Sequence, residues 1–99
     1  MAYTIGWAES ALTDLEQIVR YIAADNPEAA RRFGFTLVSR IEEVANFPRR
    51  GRVVPEKNEE TSREIILTPY RVVYEIMDAQ QQLFVTRIWH AARGPVHLG

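Results

Sequence analysis

The residues in this sequence that are best suited to chemistry are one histidine and three arginines in its last third. His90 could donate or accept a proton near neutral pH, and Arg71, Arg87 and Arg93 could hold a phosphate group. Together they would suit cleavage of RNA, in which a ribose 2′-hydroxyl attacks the adjacent phosphate while His90 acts as acid or base. The alternative interpretation of His90 is a structural residue at the end of a strand.

The sequence offers little support for other kinds of chemistry. It contains only two histidines, His90 and His97, with no carboxylate at the spacing of a metal site, no glycine-rich phosphate loop and no nucleophile motif. The lack of cysteine excludes disulfide bonds, thiolate metal sites and thiol nucleophiles, and it fits a reducing cytoplasm. We therefore predict no metal and no cofactor, and we expect His97 to be disordered.

The candidate residues lie in a predicted β-hairpin made of residues 68–77 and 83–93. Both segments are rich in β-branched and aromatic residues, and a short polar break centred near Gln80 or Gln81 separates them. Alternation assigns the first strand's core face to Tyr70, Val72, Tyr74 and Ile76, and its other face to Arg71, Val73, Glu75 and Met77. In the second strand, alternation assigns one face to Phe84, Thr86, Ile88 and His90 and the other face to Leu83, Val85, Arg87 and Trp89. The predicted turn places this second set on the same face of the sheet as Arg71.

The hairpin is therefore expected to carry a mixed face, half charged and half apolar. It contains Arg71, Glu75, Arg87 and Trp89 beside Val73 and Val85. Arginine and tryptophan are enriched where proteins meet partners, so this face is a candidate binding surface. The alternative is a cross-strand ion pair between Glu75 and Arg87 under a partly exposed Trp89.

Upstream residues predict the elements that must position this hairpin. Residues 3–7 alternate as a first strand, and a helix over about residues 10–24 has Ser10 as its N-cap. Asn26 and Pro27 mark the start of a second helix, over residues 27–47. The short link makes the two helices an antiparallel hairpin, in which Gly34 would let the backbones approach closely.

Residues 48–62 predict a polar connection, and residues 63–68 predict a third strand before the hairpin. The cluster Arg49-Arg50-Gly51-Arg52 is interpreted as a solvated helix end, with contact to phosphate or an acidic partner as the alternative. The predicted order is β-α-α-β-β-β. This is an α+β fold in which an N-terminal strand and an antiparallel helical hairpin pack on a C-terminal antiparallel sheet.

Size and charge limit the possible functions. The sequence has 99 residues, of which 46% are hydrophobic and 25% charged, and this predicts one domain over residues 1–99. No apolar run approaches the ~20 residues of a membrane-spanning helix, and the start lacks the features of an export signal, so a cytoplasmic protein is expected. The net charge of −1 argues against strong direct binding to nucleic acid.

Five stretches of the sequence, in this order, resemble the RelE/ParE superfamily of toxins from bacterial type II toxin–antitoxin systems. They are residues 11–23, Asn26-Pro27-Glu28-Ala29-Ala30, Phe47-Pro48-Arg49-Arg50-Gly51-Arg52, Tyr70-Arg71-Val72-Val73-Tyr74 and Arg87-Ile88-Trp89-His90-Ala91-Ala92-Arg93. The resemblance covers nearly the whole chain. It implies a plasmid-stabilising toxin in a hetero-oligomer with a ParD-like antitoxin, whose C-terminal segment wraps onto it. The predicted antitoxin contacts are Arg71, Val73, Arg87, Trp89 and Arg93.

The superfamily contains two activities. RelE-like members cleave messenger RNA in the ribosome and are generally strongly basic, whereas ParE-like members act on DNA gyrase. The turn at Asn26-Pro27 and the ending His90-Ala91-Ala92-Arg93 resemble the ParE branch, and the near-neutral charge and single lysine favour the same branch. We therefore expect inhibition of DNA gyrase by protein binding, without catalytic residues.

Two alternatives to gyrase inhibition stay open at this point. The first is a RelE-like ribosome-dependent endoribonuclease, whose catalytic residues would be Arg71, His90 and Arg93. The second is a superfamily member that has lost its toxicity and serves only as an antitoxin-binding module. Toxicity on expression would exclude the second alternative. Following translation and DNA damage separately would then distinguish the endoribonuclease from the gyrase inhibitor.

Overall fold

The computed structural model describes residues 2–98 and has the predicted α+β architecture, with a helical hairpin packed on a sheet. The strands are β1 (Thr4–Trp7), β2 (Arg52–Val53), β3 (Ser62–Leu67), β4 (Tyr70–Met77) and β5 (Gln82–His90). The helices are α1 (Glu9–Asp25) and α2 (Pro27–Asn46), and short 3₁₀ turns cover Pro48–Arg50, Asp78–Gln80 and Ala91–Arg93. The order of the predicted elements is confirmed.

The boundary between the two helices is the one that the sequence predicts. The Asn26 side chain accepts a hydrogen bond from the backbone N–H of Ala29 (3.1 Å), and Pro27 occupies the first position of α2. The close approach expected at Gly34 is wrong, because a Cβ atom built there would meet nothing within 4 Å. The interface between the helices therefore does not require a glycine at this position.

The sheet has the order β1-β5-β4-β3-β2, and it is mixed rather than wholly antiparallel. β1 runs parallel to β5, with Thr4 opposite Gln82 and Trp7 opposite Val85. The antiparallel arrangement predicted for the C-terminal strands is confirmed, and no direction was predicted for β1, which is parallel because α1 and α2 return the chain to the opposite end of the sheet. A parallel neighbour needs such a long crossover, and the helical hairpin provides it.

α1 begins at Glu9, and its first turns complete the edge of β5. In the described chain, β1 borders β5 only as far as Val85, and α1 follows it along the same edge. Ser10 Oγ donates to the carbonyl oxygen of Thr86 (2.8 Å), and Asp14 accepts the backbone N–H of Ile88 (3.0 Å). Ser10 is therefore not the N-cap of α1, as the sequence predicted, because its hydroxyl satisfies a strand carbonyl instead.

The connection between α2 and β3 contains a strand that the sequence analysis missed. Arg52 and Val53 pair with Glu64 and Arg63 of β3, and Val54 beside them is fully buried. The three arginines of the cluster are exposed, as predicted, and two of them also form ion pairs: Arg49 contacts Glu60 and Asp78, and Arg52 contacts Glu64. These ion pairs connect the helix end to the sheet.

A β-bulge in β5 changes the predicted faces of the hairpin. Val73 lies opposite Arg87 and Tyr74 lies opposite Val85, so the intervening Thr86 has no partner in β4. One extra residue in a strand reverses the alternation on its far side. Leu83 and Val85, which strict alternation placed on the mixed face, are therefore fully buried on the core face.

The sheet buries two separate apolar clusters, one on each face. The larger lies between the sheet and the helices and contains Ala11, Leu37, Ile41, Val44, Ile65, Tyr70, Val72, Tyr74, Ile76, Leu83, Val85 and Ile88. The smaller lies on the other face and contains Val54, Val73, Trp89 and Val96, with Leu98 packed against it. The first cluster holds the helices to the sheet, and the second holds the later loops to its back.

Tyr74 connects the larger cluster to the turn after α2, and its hydroxyl provides a test of the fold. The hydroxyl donates to the carbonyl oxygen of Pro48 (2.6 Å) and accepts the N–H of Gly51 (3.2 Å). We expect Tyr74→Phe to lower the free energy of unfolding by about 1–3 kcal/mol, because both backbone groups lose their partner. Urea denaturation of the variant measures this change.

The matched control is Tyr21→Phe, which removes the same atom from a residue that is 79% exposed. It should change the free energy of unfolding by no more than about 0.5 kcal/mol. Equal effects of the two substitutions would contradict the role given to the Tyr74 hydroxyl.

Candidate functional site

Four of the predicted binding residues share one face of the sheet, which we call the β4–β5 face: Arg71, Val73, Arg87 and Trp89. Arg71 lies opposite Trp89 and Val73 lies opposite Arg87 in the antiparallel pairing. The pairing confirms that the bulge at Thr86 leaves this end of the hairpin in the predicted arrangement. Arg93, in the 3₁₀ turn after β5, reaches the same face and places its guanidinium 3.9 Å from the centre of the Trp89 ring.

The prediction that this face is exposed is wrong. Val73 and Trp89 keep only 0% and 1% of their surfaces exposed, because Val54 and Val96 pack over them. This cover was not predicted, because His97 was expected to be disordered. Instead His97 lies with its ring centre 5.1 Å from that of Trp89, and its carbonyl oxygen accepts a hydrogen bond from Arg87. The role of the β4–β5 face in binding a partner stays a prediction.

Arg71 is held by two carboxylates. Its Nη1 and Nη2 atoms donate to both oxygens of Glu56 (2.6 and 2.8 Å), and its Nε donates to Glu64 (2.6 Å). Hydrogen bonding by Arg71 lowers the pKa of Glu56 to about 2, and the contact with Glu56 raises the pKa of Arg71. Glu64 is buried and also pairs with Arg52. The guanidinium of Arg71 is therefore neutralised within the chain.

Arg87 is held in the same way by a residue of α1. Its Nε and Nη2 atoms donate to the two oxygens of Asp14 (2.8 and 2.9 Å), which is a bidentate pair with little exposure. The predicted pair between Glu75 and Arg87 is wrong, because Glu75 bonds Ser62 and Lys57 instead. Hydrogen bonding to Asp14 raises the pKa of Arg87. Arg87 is thus fixed to the helical hairpin.

Trp89 lies at the centre of the β4–β5 face. The guanidinium groups of Arg87 and Arg93 lie 4.8 and 3.9 Å from its ring centre, within the range of cation–π attraction. Its Nε1 donates to the carbonyl oxygen of Gly94 (3.0 Å). The ring is therefore bordered by cations and satisfied at its only polar atom, which fixes its orientation.

His90 lies on the opposite face of the sheet from Arg71 and Arg87. It pairs with Tyr70, and the two rings meet edge to face with centres 5.3 Å apart. Its Nδ1 accepts the backbone N–H of Ala92 (3.0 Å), which caps the turn after β5. With Arg93 and residues of α1 such as Tyr21, His90 lines a depression of about 400 Å³. The structure therefore brings His90 together with Arg93 but not with Arg71 or Arg87.

Three carboxylates that determine this geometry were not predicted as site residues from the sequence: Asp14, Glu56 and Glu64. Asp14 carried a usable signal, since it lies three residues after Ala11 and four before Ile18, on the apolar side of α1. Glu64 gave no such signal, although it is buried in β3. Within residues 2–98 no group of three His, Asp or Glu residues is placed to hold a metal ion, and no helix could cross a membrane.

Comparisons with known proteins give consistent results. Residues 5–95 match the family model described as the ParE toxin of the type II toxin–antitoxin system parDE. The chain is 35% identical over 88 residues to Toxin RelE2 of Caulobacter vibrioides. This alignment covers 88% of this chain and 93% of that protein. A structure of the chromosomal ParDE system from P. aeruginosa matches with a TM-score of 0.72 at 17% identity, covering 90% of this chain and 96% of that one.

A second solved structure has the same fold. In the toxin–antitoxin complex RelBE2 from Mycobacterium tuberculosis, one chain matches with a TM-score of 0.61 at 23% identity. The alignment covers 91% of this chain and 99% of that chain. At this level of identity the two structural matches establish the fold, which agrees with the two helices packed on a five-stranded sheet described above.

The ion pair between Arg71 and Glu56 predicts how stability depends on pH. The folded-state pKa of Glu56 is about 2, below its ordinary value of 4.5, so the ionised carboxylate stabilises the fold above pH 4.5. This contribution is lost as the pH falls from 4.5 towards 2. We expect Glu56→Gln to reduce the melting temperature at pH 7, and the variant should lose less stability than the wild type on acidification.

Thermal denaturation of both proteins at several pH values between 7 and 2.5 measures this difference. The control is Glu59→Gln, since Glu59 meets Lys57 only at 3.9 Å and is more exposed. If the melting temperatures of the wild type and Glu56→Gln fell by the same amount over the whole pH range, the role of Glu56 would be contradicted.

Proposed function

Because this chain belongs to the ParE toxin family of type II toxin–antitoxin systems, we propose that it is the toxin of such a pair and acts by binding a protein target, DNA gyrase. It would act in the cytoplasm and carry out no covalent chemistry of its own. A cognate antitoxin would neutralise it by covering its surface, in a hetero-oligomer that stabilises the plasmid or chromosome that encodes both. The family membership supports the toxin role, and the geometry supports the choice of mechanism.

The observation that carries the mechanism is the separation of His90 from Arg71 and Arg87. Cleavage of RNA by the predicted residues needs a proton-transferring group and phosphate-binding cations around one reacting phosphate. Arg71 and Arg87 lie on one face of the sheet, and His90 lies on the other beside Tyr70. His90 Nδ1 is occupied by the N–H of Ala92. This arrangement supports a structural role for His90.

The pairing of charges supports the same conclusion. Eight of the twelve basic residues lie within 4.0 Å of a carboxylate: Arg20, Arg31, Arg49, Arg52, Lys57, Arg63, Arg71 and Arg87. An RNA phosphate would have to displace those carboxylates to reach the two arginines at the β4–β5 face. A protein partner needs no free cation, because protein interfaces are built largely from apolar contacts and hydrogen bonds. The geometry therefore favours a protein target over ribosome-bound RNA.

The antitoxin is proposed from the family and from relatives studied as pairs. The similar structures from P. aeruginosa and M. tuberculosis are described as a ParDE system and as a toxin–antitoxin complex. We propose a ParD-like partner for this chain, with a C-terminal segment that wraps onto the toxin. The residues proposed to contact it are those predicted from the sequence, Arg71, Val73, Arg87, Trp89 and Arg93.

Two activity assays with the purified protein test the mechanism. We expect it to inhibit ATP-dependent supercoiling of plasmid DNA by gyrase at concentrations that leave cell-free translation unchanged. A complex with the antitoxin should not inhibit. Arrest of translation, with messenger RNA cut in the ribosome and gyrase unaffected, would overturn the gyrase proposal in favour of the endoribonuclease. If neither process changes and expressed protein leaves growth normal, the chain is a non-toxic antitoxin-binding module.

The role of His90 is tested by His90→Asn. An asparagine oxygen can replace the Nδ1 atom as acceptor for Ala92 N–H but cannot transfer protons near neutral pH. We expect toxicity on induced expression to stay within about twofold of the wild type, whereas loss of a general acid or base would reduce activity by about 100-fold or more. Loss of toxicity in a variant with an unchanged melting temperature would contradict the proposed mechanism.

A further inference from the structure

The outer side of α2 carries two large apolar side chains that the chain leaves in contact with water. Phe35 is 77% exposed and Val38 is 44% exposed, whereas Leu37 and Ile41, on the inner side of the same helix, are buried in the core. A single exposed apolar residue is common on a protein surface. Adjacent ones on the same side of one helix are typical of a surface that contacts another protein.

Phe35 and Val38 belong to a row of four exposed residues, Arg31, Phe35, Val38 and Glu42, which we call the α2 seam. The residues follow one another at intervals of four, three and four positions, so they lie one above the other along the helix. The same spacing brings one helix against another in a coiled coil. With a rise of 1.5 Å per residue, the seam is about 17 Å long.

The charges around the seam are sorted along the helix. Arg31 lies at the N-terminal end beside Arg32, and Glu42 lies at the C-terminal end beside Glu43. Within residues 2–98, Arg32, Glu42 and Glu43 form no ion pair, and Arg31 has only an exposed contact with Glu28. The α2 seam therefore has a positive end, an apolar middle and a negative end.

A surface of this kind is complementary to a second copy of itself. If two α2 helices lie antiparallel about a twofold axis through the middle of the seam, the positive end of each meets the negative end of the other. The spacing then determines the contacts, because Phe35 packs against Val38 of the second copy and Arg31 lies opposite its Glu42. A parallel arrangement would place like charges together. The sorted charges therefore select the antiparallel one.

The surface has space on both sides of Phe35 for side chains of another helix. On one side is Gly34, where an added Cβ atom would meet nothing within 4 Å, so packing inside the chain does not require a glycine. On the other side, Phe35 lines a depression of about 370 Å³ together with Arg31, Arg32 and Thr36. Two helices that pack at a seam insert each side chain into spaces of this kind on the partner.

We propose that the chain forms a symmetric homodimer in which the α2 seams of two copies pack antiparallel. The inference goes beyond the proposed function and does not rest on it, because it concerns the chain alone. The helices cover one face of the sheet and the β4–β5 face is the other, so the dimer leaves the β4–β5 face accessible. The seam is short for a protein interface, and the dimer is therefore weak and dissociates on dilution.

The first experiment is sedimentation equilibrium of the full-length chain between about 10 µM and 1 mM, the range in which weak complexes dissociate. We expect the average mass to rise reversibly from that of one chain towards that of two. Phe35→Asp should raise the dissociation constant at least tenfold, because the symmetric dimer contains the substitution twice in its apolar centre. Circular dichroism checks that the variant is folded.

The matched control is Tyr21→Asp, which makes the same kind of change at an aromatic residue of α1 that is 79% exposed. It should leave the dissociation constant within about twofold of the wild type, because Tyr21 lies outside the seam. A wild-type chain that stays monomeric over the whole concentration range would overturn the inference. So would a dimer that Phe35→Asp and Tyr21→Asp weaken equally.

The second experiment reverses the charges at the ends of the seam. Arg31→Glu alone places two glutamates opposite each other, and Glu42→Arg alone places two arginines opposite each other. Each variant should dimerise about five- to tenfold more weakly than the wild type, since like charges replace two attractive pairs. The double variant, with both substitutions in one chain, restores opposite charges and should dimerise within about twofold of the wild type.

A mixture of the two single variants provides a further test of the pairing. Each contact between the two different chains then joins a glutamate to an arginine, so the mixture should form more dimer than either variant alone. If the double variant is as weak as the single variants, the antiparallel pairing of Arg31 with Glu42 is wrong and the inference fails.

These measurements separate failure of the inference from failure of the proposed function. Sedimentation of the chain alone involves neither gyrase nor antitoxin, so its result holds whichever target the chain has. Other occupants of the seam are tested by repeating the gyrase and antitoxin assays with Phe35→Asp. If the wild type is monomeric and Phe35→Asp abolishes gyrase inhibition or antitoxin binding, the seam belongs to that partner, and the homodimer is rejected.

Discussion

The fold depends on how the edge of β5 is completed beyond the end of β1. A strand edge in the interior must have its backbone groups satisfied, and here α1 provides the partners in place of a strand. Ser10 bonds the carbonyl of Thr86, and Asp14 bonds the N–H of Ile88. A buried carboxylate needs a positive partner, and Arg87 provides it with two hydrogen bonds. The same carboxylate therefore joins the helical hairpin to the sheet and fixes an arginine on the opposite face.

This constraint explains why the arginines of the β4–β5 face are both immobile and neutralised. Asp14 holds Arg87, and Glu56 with Glu64 holds Arg71, so each guanidinium is oriented before any partner arrives. Such groups are poorly suited to capturing a phosphate, because its charge would compete with a carboxylate already in bidentate contact. They are well suited to contacting a peptide backbone, whose carbonyl groups need only one donor each. The backbone carbonyl groups of His97 and Gly94 accept from Arg87 and Trp89 in this way.

Sequence patterns predicted the parts of the fold that local signals determine. The cap at Asn26, the stop before Pro48 and the strands β3 to β5 are all encoded within a few residues of their boundaries. The bulge at Thr86 was not predictable, because one unpaired residue leaves the composition of a strand unchanged while reversing its faces. β2 was hidden because two residues in a polar segment give no alternation, and its pairing with β3 depends on the fold.

The sequence predicted which side chains share the β4–β5 face but not how far that face is buried. Arg71, Val73, Arg87 and Trp89 do share a face, yet exposure depends on segments distant in sequence, which no strand pattern contains. Function in this superfamily resides in the groups displayed on a shared fold, so similarity of fold alone does not choose between gyrase and RNA. We base the proposal of a protein target on the carboxylates that pair with the arginines. Because Glu56, Glu64 and Asp14 neutralise Arg71 and Arg87, the β4–β5 face offers little free positive charge, and that chemistry favours a protein partner.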